Sequence, residues 1–522
     1  MHILMVAAEN AALPGAKVGG IADVVRDIPR ALARAGHQVS VLIPGYQALS
    51  QLPHATRKLS LTVEFAGSLE TLELYALSTP GEPVGITHLI IEHPLFAACG
   101  VGQVYCHDSE EPFATDAVKF ALFSQAAAYA VVSGAVPDVD VIHAHDWHAS
   151  VLLLLRAWHP GFKSLQQLSV VFTIHNLSLQ GIRPLRDNWS SPHTWFPDLK
   201  LDTALVADPR WPDCINLMRA GINLADQVHV VSPTYAREIL EPSEPARGLV
   251  RGEGLENDLQ RISALGRLHG ILNGCEYPPG RLRKSPVKND IVKAAEAALT
   301  LWVGDKVTIK SSWYHAWRIL QQWSARKQKD SFLVTSVGRL TPQKVSLLQV
   351  EFQGSSVLDQ FLLQLDKGML ILQGSGDPDC ELFMTQVMRR HDNFLFLCGY
   401  DEALGDMLYR FGDLFLMPSL FEPCGISQML AMRAGTPCLV HQVGGLADTV
   451  THLVNGFTFS GEDPQEQAAA LLAEFQDILQ MYSNRIPQWQ AITKAAAASR
   501  FSWDAVVNDY ETLLYGLKPG DH

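Results

Sequence analysis

Two eight-residue stretches of one design stand near opposite ends of this chain, VGGIADVV at 18–25 and VGGLADTV at 443–450. Each sets a glycine pair directly ahead of a helical pattern, and the second follows a short apolar strand, Pro437 to Val440. Glycine lets the backbone approach a ligand closely, and a helix start presents unpaired N–H groups with a partial positive charge. The echo therefore predicts two similar halves, each offering such a turn to something anionic. Neither turn is G-x-G-x-x-G, and Ile43 is followed by Pro44-Gly45 where a dinucleotide fold would place an acid. Both features argue against a nicotinamide-dependent dehydrogenase.

The stretches between fit the same plan. A strand at His2 to Ala7, a helix from about Ile21 to Ala35 and a strand at Gln38 to Ile43 begin a strand–helix alternation, the mark of a parallel sheet with helices on its faces. Residues 58–98 alternate in β fashion and predict a local antiparallel excursion. VDVIHAHD (139–146), LSVVFTIHN (168–176) and ADQVHVVSPTY (225–235) are apolar strands ending in polar residues. Ligands of open α/β sheets lie beyond the carboxyl ends of the strands, so these polar ends are candidates for chemistry. The alternation weakens over 241–330, which predicts a domain junction, with 290–329 helical and rich in tryptophan, Lys and Arg. It resumes at 331 with SFLVTSVGRL, KGMLILQGSGDP, NFLFLCGYDE and DLFLMPS, and final helices run from about 464.

Composition narrows the function classes. A chain of 522 residues exceeds one ordinary core, so two or three domains are expected. Lys and Arg number 41 against 54 Asp and Glu, a net charge of −13 that argues against a nucleic-acid binder. Phe120 to Pro137 is the longest uncharged stretch, but its Ser, Gln, Gly and Pro residues suit a buried helix and not a membrane span. The apolar run of MHILMVAAEN is too short and too uncharged at its start to read as a signal peptide, which points to a cytoplasmic location, and the eight cysteines, without paired spacing, read as free thiols.

Several residues invite chemistry. Lys17 beside the first glycine pair favours phosphate there. Arg339 and Lys344, five apart in VGRLTPQKV, suit a diphosphate as a planar fork plus a point charge, although on spacing alone a solvated basic loop fits slightly better. Glu422, between Phe421 and Pro423 and near Cys424 and Gly425, is a carboxylate in a stiff loop, a setting more often that of a buried structural partner than of a catalyst. His143, His145 and His148 in HAHDWH raise a metal-dependent hydrolase, but no other Asp, His or Cys cluster completes a metal site. Asp146 is placed to accept hydrogen bonds from a sugar, and Tyr400 in GYDE either packs or stacks on a planar base.

Taken in order, KVGGIADVV, IHAHDWHA, TIHNLSLQG, INLADQVHVVSPTYAREI, GILNG, GRLTPQK, GSGDP, GYDEAL, PSLFEPCGISQ and GGLADTV resemble the bacterial glycogen and plant starch synthases over nearly the whole chain. The resemblance implies an α/β GT-B fold, two Rossmann-like domains facing across a deep cleft. The N-terminal domain would span 1–270 and the donor-binding domain 271–505, with 506–522 packing back on the first. It implies retaining transfer of glucose from ADP-glucose to the non-reducing end of an α-1,4-glucan such as glycogen, with no metal and no cofactor, no nucleic acid and no membrane. Glu422, Arg339, Lys344, His175 and Asp146 would be catalytic. Glu422 would hold glucose hydroxyls, Arg339 and Lys344 would neutralise the diphosphate, and Asp146 and His175 would line the glucose pocket. Lys17, Gly19, Gly20, Asp23, Asn273, Tyr400, Cys424, Gly425, Gly444, Gly445 and Leu446 would bind substrate, Tyr400 by stacking on adenine.

Departures from the family pattern accompany the match. Val345 stands where a glycine is usual, Leu420 replaces an Arg, Val443 replaces a Thr, and Cys275-Glu276-Tyr277 follows Asn273-Gly274 in place of an Ile- or Val-Asp pair. Residues 281–330 do not follow the pattern. These changes leave two alternatives open: a catalytically weak or regulatory glucan- or nucleotide-binding relative, and a GT-B transferase that uses UDP-glucose.

Overall fold

The computed structural model describes residues 1–277, 288–304, 309–325 and 331–517. Residues 281–287, 305–308 and 326–330 of the atypical segment, and 518–522 of the C-terminal segment, lie outside that set. The chain divides into two compact units, one of residues 1–243, 251–276 and 502 onward, the other of 244–250 and 277–501. The seam thus falls at 276/277 and not 270/271, and the return to the first unit begins at Ser502 and not 506. The cause is close packing: a Cβ on Gly274 would lie 2.6 Å from the Trp503 nitrogen, so 271–276 and the C-terminal helix share one core. The excursion 244–250 belongs with the second unit, where Arg247 pairs with Glu462 at 2.8 Å.

In the first unit, strands β1 (His2–Val6), β2 (Gln38–Pro44), β3 (Ala55–Phe65), β4 (Ser68–Leu77), β5 (Ile86–Glu92), β6 (Val141–His145) and β7 (Ser169–Ile174) join two later ones in a single sheet. A separate antiparallel pair, β8 (Ile182–Pro184) and β9 (Cys214–Asn216), precedes those two, β10 (Gln227–Val230) and β11 (Leu268–Gly270). The sheet order is β11-β10-β7-β6-β1-β2-β5-β4-β3. All neighbours from β11 to β5 are parallel, and the antiparallel excursion is confined to β4 against β5 and β3 against β4. Ile86–Glu92, read as part of the excursion, is parallel to β2. The central strands are buried along nearly their whole length because helices cover both faces. The uncharged stretch becomes the helix Ala114–Val132, buried almost all round, with Lys119 inside it paired to Asp116 at 2.6 Å and donating to the Val104 carbonyl at 2.7 Å. Among the described residues no helix is long and apolar enough to cross a membrane.

The second unit carries β12 (Leu333–Val337), the short hairpin β13 (Glu351–Phe352) and β14 (Ser355–Ser356), then β15 (Met369–Gly374), β16 (Phe394–Cys398), β17 (Leu414–Met417), β18 (Cys438–His441) and β19 (Phe457–Phe459). Its six-stranded sheet runs β16-β15-β12-β17-β18-β19, all parallel. Counted along the chain that is 3-2-1-4-5-6, the doubly wound order of nucleotide-binding sheets. Successive connections reverse direction between β12 and β17, and in the first unit between β1 and β6. The crevices for ligands open beyond those strand ends.

One cysteine expectation is overturned. Cys99 and Cys106 are joined by a disulfide across a seven-residue turn that brings their Cα atoms to 5.6 Å, within the span such a bond requires. The other six are free, five of them buried. The search for paired motifs missed the bond because a reversing loop, not a repeated spacing, brings these two together.

Candidate functional site

At the second unit's reversal point, β12 ends at Val337 and the chain turns through Gly338 and Arg339 into the helix Pro342–Gln349. Beside it β17 ends at Met417 and turns through Pro418 and Ser419. The Leu420 amide donates to the Gln343 carbonyl at 2.9 Å, and the Gln343 side chain donates to the Phe421 carbonyl at 3.0 Å, so the two loops are laced together. That lacing brings the Lys344 ammonium onto Glu422 Oε2, which also accepts from the Ser419 hydroxyl at 3.1 Å. Glu422 is buried at 5% exposure and Lys344 is a quarter exposed, so the carboxylate is fixed while the ammonium keeps access to solvent. An ammonium has three protons to donate, leaving two for other acceptors. Arg339 is exposed and makes no ion pair among the described residues. A small cavity lined by Val337, Arg339, Lys344, Met417 and Ser419 marks the spot.

The second glycine pair belongs to this cluster. The Gly445 amide donates to the Glu422 carbonyl at 3.0 Å, and a Cβ on Gly445 would lie 2.2 Å from the Cys424 oxygen, so only glycine permits the approach. Gln428 holds the same loop through the Cys424 and Gly425 carbonyls at 3.1 and 2.9 Å, and Leu446 is buried beneath it. Val443 stands at the N-cap position with no side-chain cap. Behind the loop, His441 bonds the Ser419 carbonyl at 2.9 Å, and burial lowers its pKa. Val345 packs in the core from within the helix, so at this departure the chain takes a regular helical path. Leu420 packs on the same core. Tyr400 stands apart, exposed on the loop after β16.

The first unit gathers its residues differently. Asp146, at the end of β6, has a left-handed backbone (φ 55°), uncommon outside glycine. That turn sends its Oδ1 to accept from the His175 amide at 2.7 Å. Burial pushes its carboxyl pKa up to about 8, against the lowering pull of the His175 and Asn176 amides. His145 Nδ1 and His175 Nε2 lie 3.0 Å apart, and the His143 ring stacks on His145 at 4.5 Å. His143 bonds the Tyr515 hydroxyl at 3.0 Å and Thr173 at 2.6 Å, and Thr173 meets His229 at 3.0 Å. Burial holds these imidazoles neutral, with His145 down at about 3 and His229 at about 4, and His143 and His175 far below the usual range. Among the described residues no group of three or more His, Cys, Asp or Glu is placed to hold a metal ion. Asn273 is buried in the same unit, and its side-chain oxygen lacks a hydrogen-bond partner there.

Lys17 and Asp23 come together at 2.8 Å beside the first glycine turn. Gly19 is the N-cap of the helix Gly20–Arg34, which has no side-chain cap. The Val18 and Gly19 amides are already engaged, however. Both donate to Glu9 Oε2 at 2.6 Å, and Tyr105 donates to Glu9 Oε1 at 2.6 Å. The amides left for an anion are therefore those inside the helix. Glu9 and Tyr105 escaped the sequence reading. Glu9 lies in the loop three residues beyond β1, in the segment MVAAEN, so extending the rule of polar strand ends into the following loop would have found it. Tyr105 carried no such signal.

Two doubly wound units, with polar strand ends at one reversal point and an ion-paired loop at the other, define the GT-B class of glycosyltransferase. A family model described as "Starch synthase catalytic domain" matches residues 2–261, and one described as "Glycosyl transferases group 1" matches 318–479. The glycogen synthases of Streptococcus equi and Gloeobacter violaceus are 32% and 33% identical to this chain, with 98% and 99% of it and 100% and 99% of theirs covered. The catalytic domain of starch synthase IV from Arabidopsis thaliana, solved with ADP and acarbose, superposes with a TM-score of 0.75 at 27% identity, covering 98% of each chain. A sucrose-phosphate synthase from Thermosynechococcus elongatus, 19% identical with a TM-score of 0.54 and 98% of each chain covered, shares the fold. The chain belongs to the glycogen and starch synthase family of glucosyltransferases.

Proposed function

We propose that this enzyme transfers glucose from ADP-glucose to the non-reducing end of an α-1,4-glucan with retention of configuration, using neither metal nor cofactor. The observation that carries this reading is the Lys344–Glu422 pair at the second unit's reversal point, with Arg339 beside it and the Gly444–Gly445 turn bonded to it. In the reaction the bond between the glucosyl C1 and the diphosphate oxygen breaks, and the acceptor hydroxyl oxygen bonds C1 on the same face. The hydroxyl proton passes to the departing phosphate, and ADP leaves. Negative charge develops on that diphosphate, and fixed cations stabilise it without reorganisation.

Each residue then has a task. Lys344 and Arg339 meet the diphosphate, Glu422 grips glucose hydroxyls through a carboxylate that burial immobilises, and Tyr400 stacks on adenine. From the first unit Lys17 meets phosphate, and Asp146 and His175 offer neutral hydrogen-bonding groups suited to sugar hydroxyls. The ADP and acarbose named for the starch synthase IV structure support a nucleotide sugar and a glucan as substrates.

Incorporation of labelled glucose into glycogen from ADP-, UDP- and GDP-glucose, with and without a chelator, tests the reading. ADP-glucose is expected to give the highest kcat/KM, unchanged by the chelator. Preference for UDP-glucose would reassign the donor, loss of activity with chelator would introduce a metal, and glucan binding without transfer would make the chain a regulatory relative.

A further inference from the structure

The tryptophan-rich segment, most of which lies between the two family-model matches, is anchored to the loop that carries Tyr400. Helix Ser311–Ala325 lies against β16, the edge strand of the second sheet, and helix Lys288–Gly304 packs on Ser311–Ala325 and on the helix Glu402–Phe411. Three indoles donate to backbone carbonyls along that strand in turn. Trp323 reaches Asp392 just before it at 2.8 Å, Trp313 reaches Cys398 at its last residue at 2.7 Å, and Trp302 reaches Tyr400 in the loop beyond at 3.2 Å. A Cβ on Gly399 would lie 2.6 Å from the Trp302 ring, so the indole lies directly on the backbone preceding Tyr400. Lys310 adds a bond to Glu381 at 2.8 Å and approaches the Cys398 sulfur at 3.4 Å. On the other side Asp401 caps the helix Glu402–Phe411 through the Leu404 amide at 2.8 Å.

The Tyr400 backbone is thus held from both sides, by Trp302 and by a helix cap, while the residue as a whole is 62% exposed. Trp313 and Trp323 are buried, and their burial is what packing alone would need. Trp302 does something more specific, because its only indole N–H is directed at the backbone carbonyl of an exposed aromatic residue. An aromatic platform set in place before its ligand arrives loses less entropy on binding.

We propose that Trp302 is a positioning residue for the donor's base: it fixes the Tyr400 backbone so that the ring stacks on adenine, and so contributes to the preference for adenine over uracil. The inference rests on the reading of Tyr400 as the stacking residue. The test uses the full chain and compares Trp302→Phe, Tyr400→Ala and the double variant. Trp302→Phe keeps a ring against Gly399 and removes the N–H. Calorimetry gives the Kd for ADP, UDP and inorganic pyrophosphate, and melting temperature reports folding. Tyr400→Ala is expected to raise the ADP Kd about tenfold, within the range for loss of one base–aromatic stack. Trp302→Phe is expected to raise it about threefold and to narrow the ADP-to-UDP ratio, as the loss of one neutral hydrogen bond would do. Pyrophosphate affinity stays constant, and the double variant binds ADP no worse than Tyr400→Ala, as residues acting through one another require.

Failure divides cleanly. If Tyr400→Ala leaves ADP affinity unchanged, the stacking reading falls and takes this inference with it. If Tyr400→Ala weakens ADP while Trp302→Phe lowers only the melting temperature, or if the two losses multiply in the double variant, the inference alone is overturned.

Discussion

At the first unit's reversal point the polar side chains are buried and mostly neutral, whereas at the second unit's they form an ion pair that opens to solvent on one side. Asp146, with a pKa near 8, is largely protonated at neutral pH, and the imidazoles around it carry no charge. Lys344 pairs with Glu422, and Arg339 is exposed. Both places lie on the same strand plan, so the contrast comes from what the loops bury. Desolvation neutralises a group that has no charged partner and leaves a paired one ionised. Neutral donors and acceptors suit hydroxyls, and fixed charges suit a diphosphate.

The largest effect expected from this contrast is on turnover. Lys344→Ala should lower kcat by about 10²–10³-fold, the usual cost of one preorganised electrostatic contact. Glu422→Ala should do the same with the fold intact. Lys344→Ala also strands a buried carboxylate, so its melting temperature should fall, and adding Glu422→Gln should recover the melting temperature but not kcat. Recovery of both in the double variant would mean that the pair is structural. Asp146→Asn should cost less than about tenfold at pH 7, because the amide keeps the oxygen that accepts from His175 and replaces a group already uncharged. Equal losses at Asp146 and Lys344, measured as kcat under saturating donor, would erase the distinction between the two places.

How far these places were legible in the sequence follows from the same physics. The alternating units and the reversal-point loops could be anticipated, because a periodic pattern and a strand end are local properties of the chain. What the sequence left open are facts of proximity. The histidines of HAHDWH read as a possible metal site until Tyr515, 372 positions after His143, proved to bond one of them. The Cys99–Cys106 bond depends on a reversing loop, and the seam at 276/277 depends on Gly274 meeting Trp503. The N–H groups of the first glycine turn looked available until Glu9 was found holding two of them.

The contrast also sets a pH window. His145 and His148 titrate near 3 and His229 near 4 in the fold, below their ordinary value near 6.5, because burial disfavours the imidazolium. A lowered pKa contributes stability above the unfolded value and loses it as pH falls towards the folded one. Asp146 runs the other way, since its raised pKa costs stability progressively as pH rises from about 4 to about 8. Below about pH 6.5 the several histidines outweigh the single carboxyl, so melting temperature should fall steadily from pH 6.5 to 5. His229→Gln should show a shallower fall. An unchanged melting temperature across that range would mean that the first unit's network is hydrated and chargeable.

The smallest expected effect lies at Glu9, which supports the first glycine turn from behind. Tyr105 is half-buried, its hydroxyl donates to Glu9 Oε1, and desolvation near Glu9 pushes its own pKa up, so it acts here as a neutral donor. Tyr105→Phe removes that donor and leaves the Val18 and Gly19 amides on the other oxygen. A hydrogen bond to a charged acceptor contributes about 1.5–3 kcal/mol, and the two remaining bonds keep the carboxylate in place. The variant should therefore lose stability in urea by about that amount, raise the donor KM two- to threefold and leave kcat unchanged, roughly a loss of uniform binding. Initial rates over a donor series give both parameters. A drop in kcat comparable to that of Lys344→Ala would place the first glycine turn among the groups that stabilise the transition state, and the division of labour between the two units would have to be redrawn.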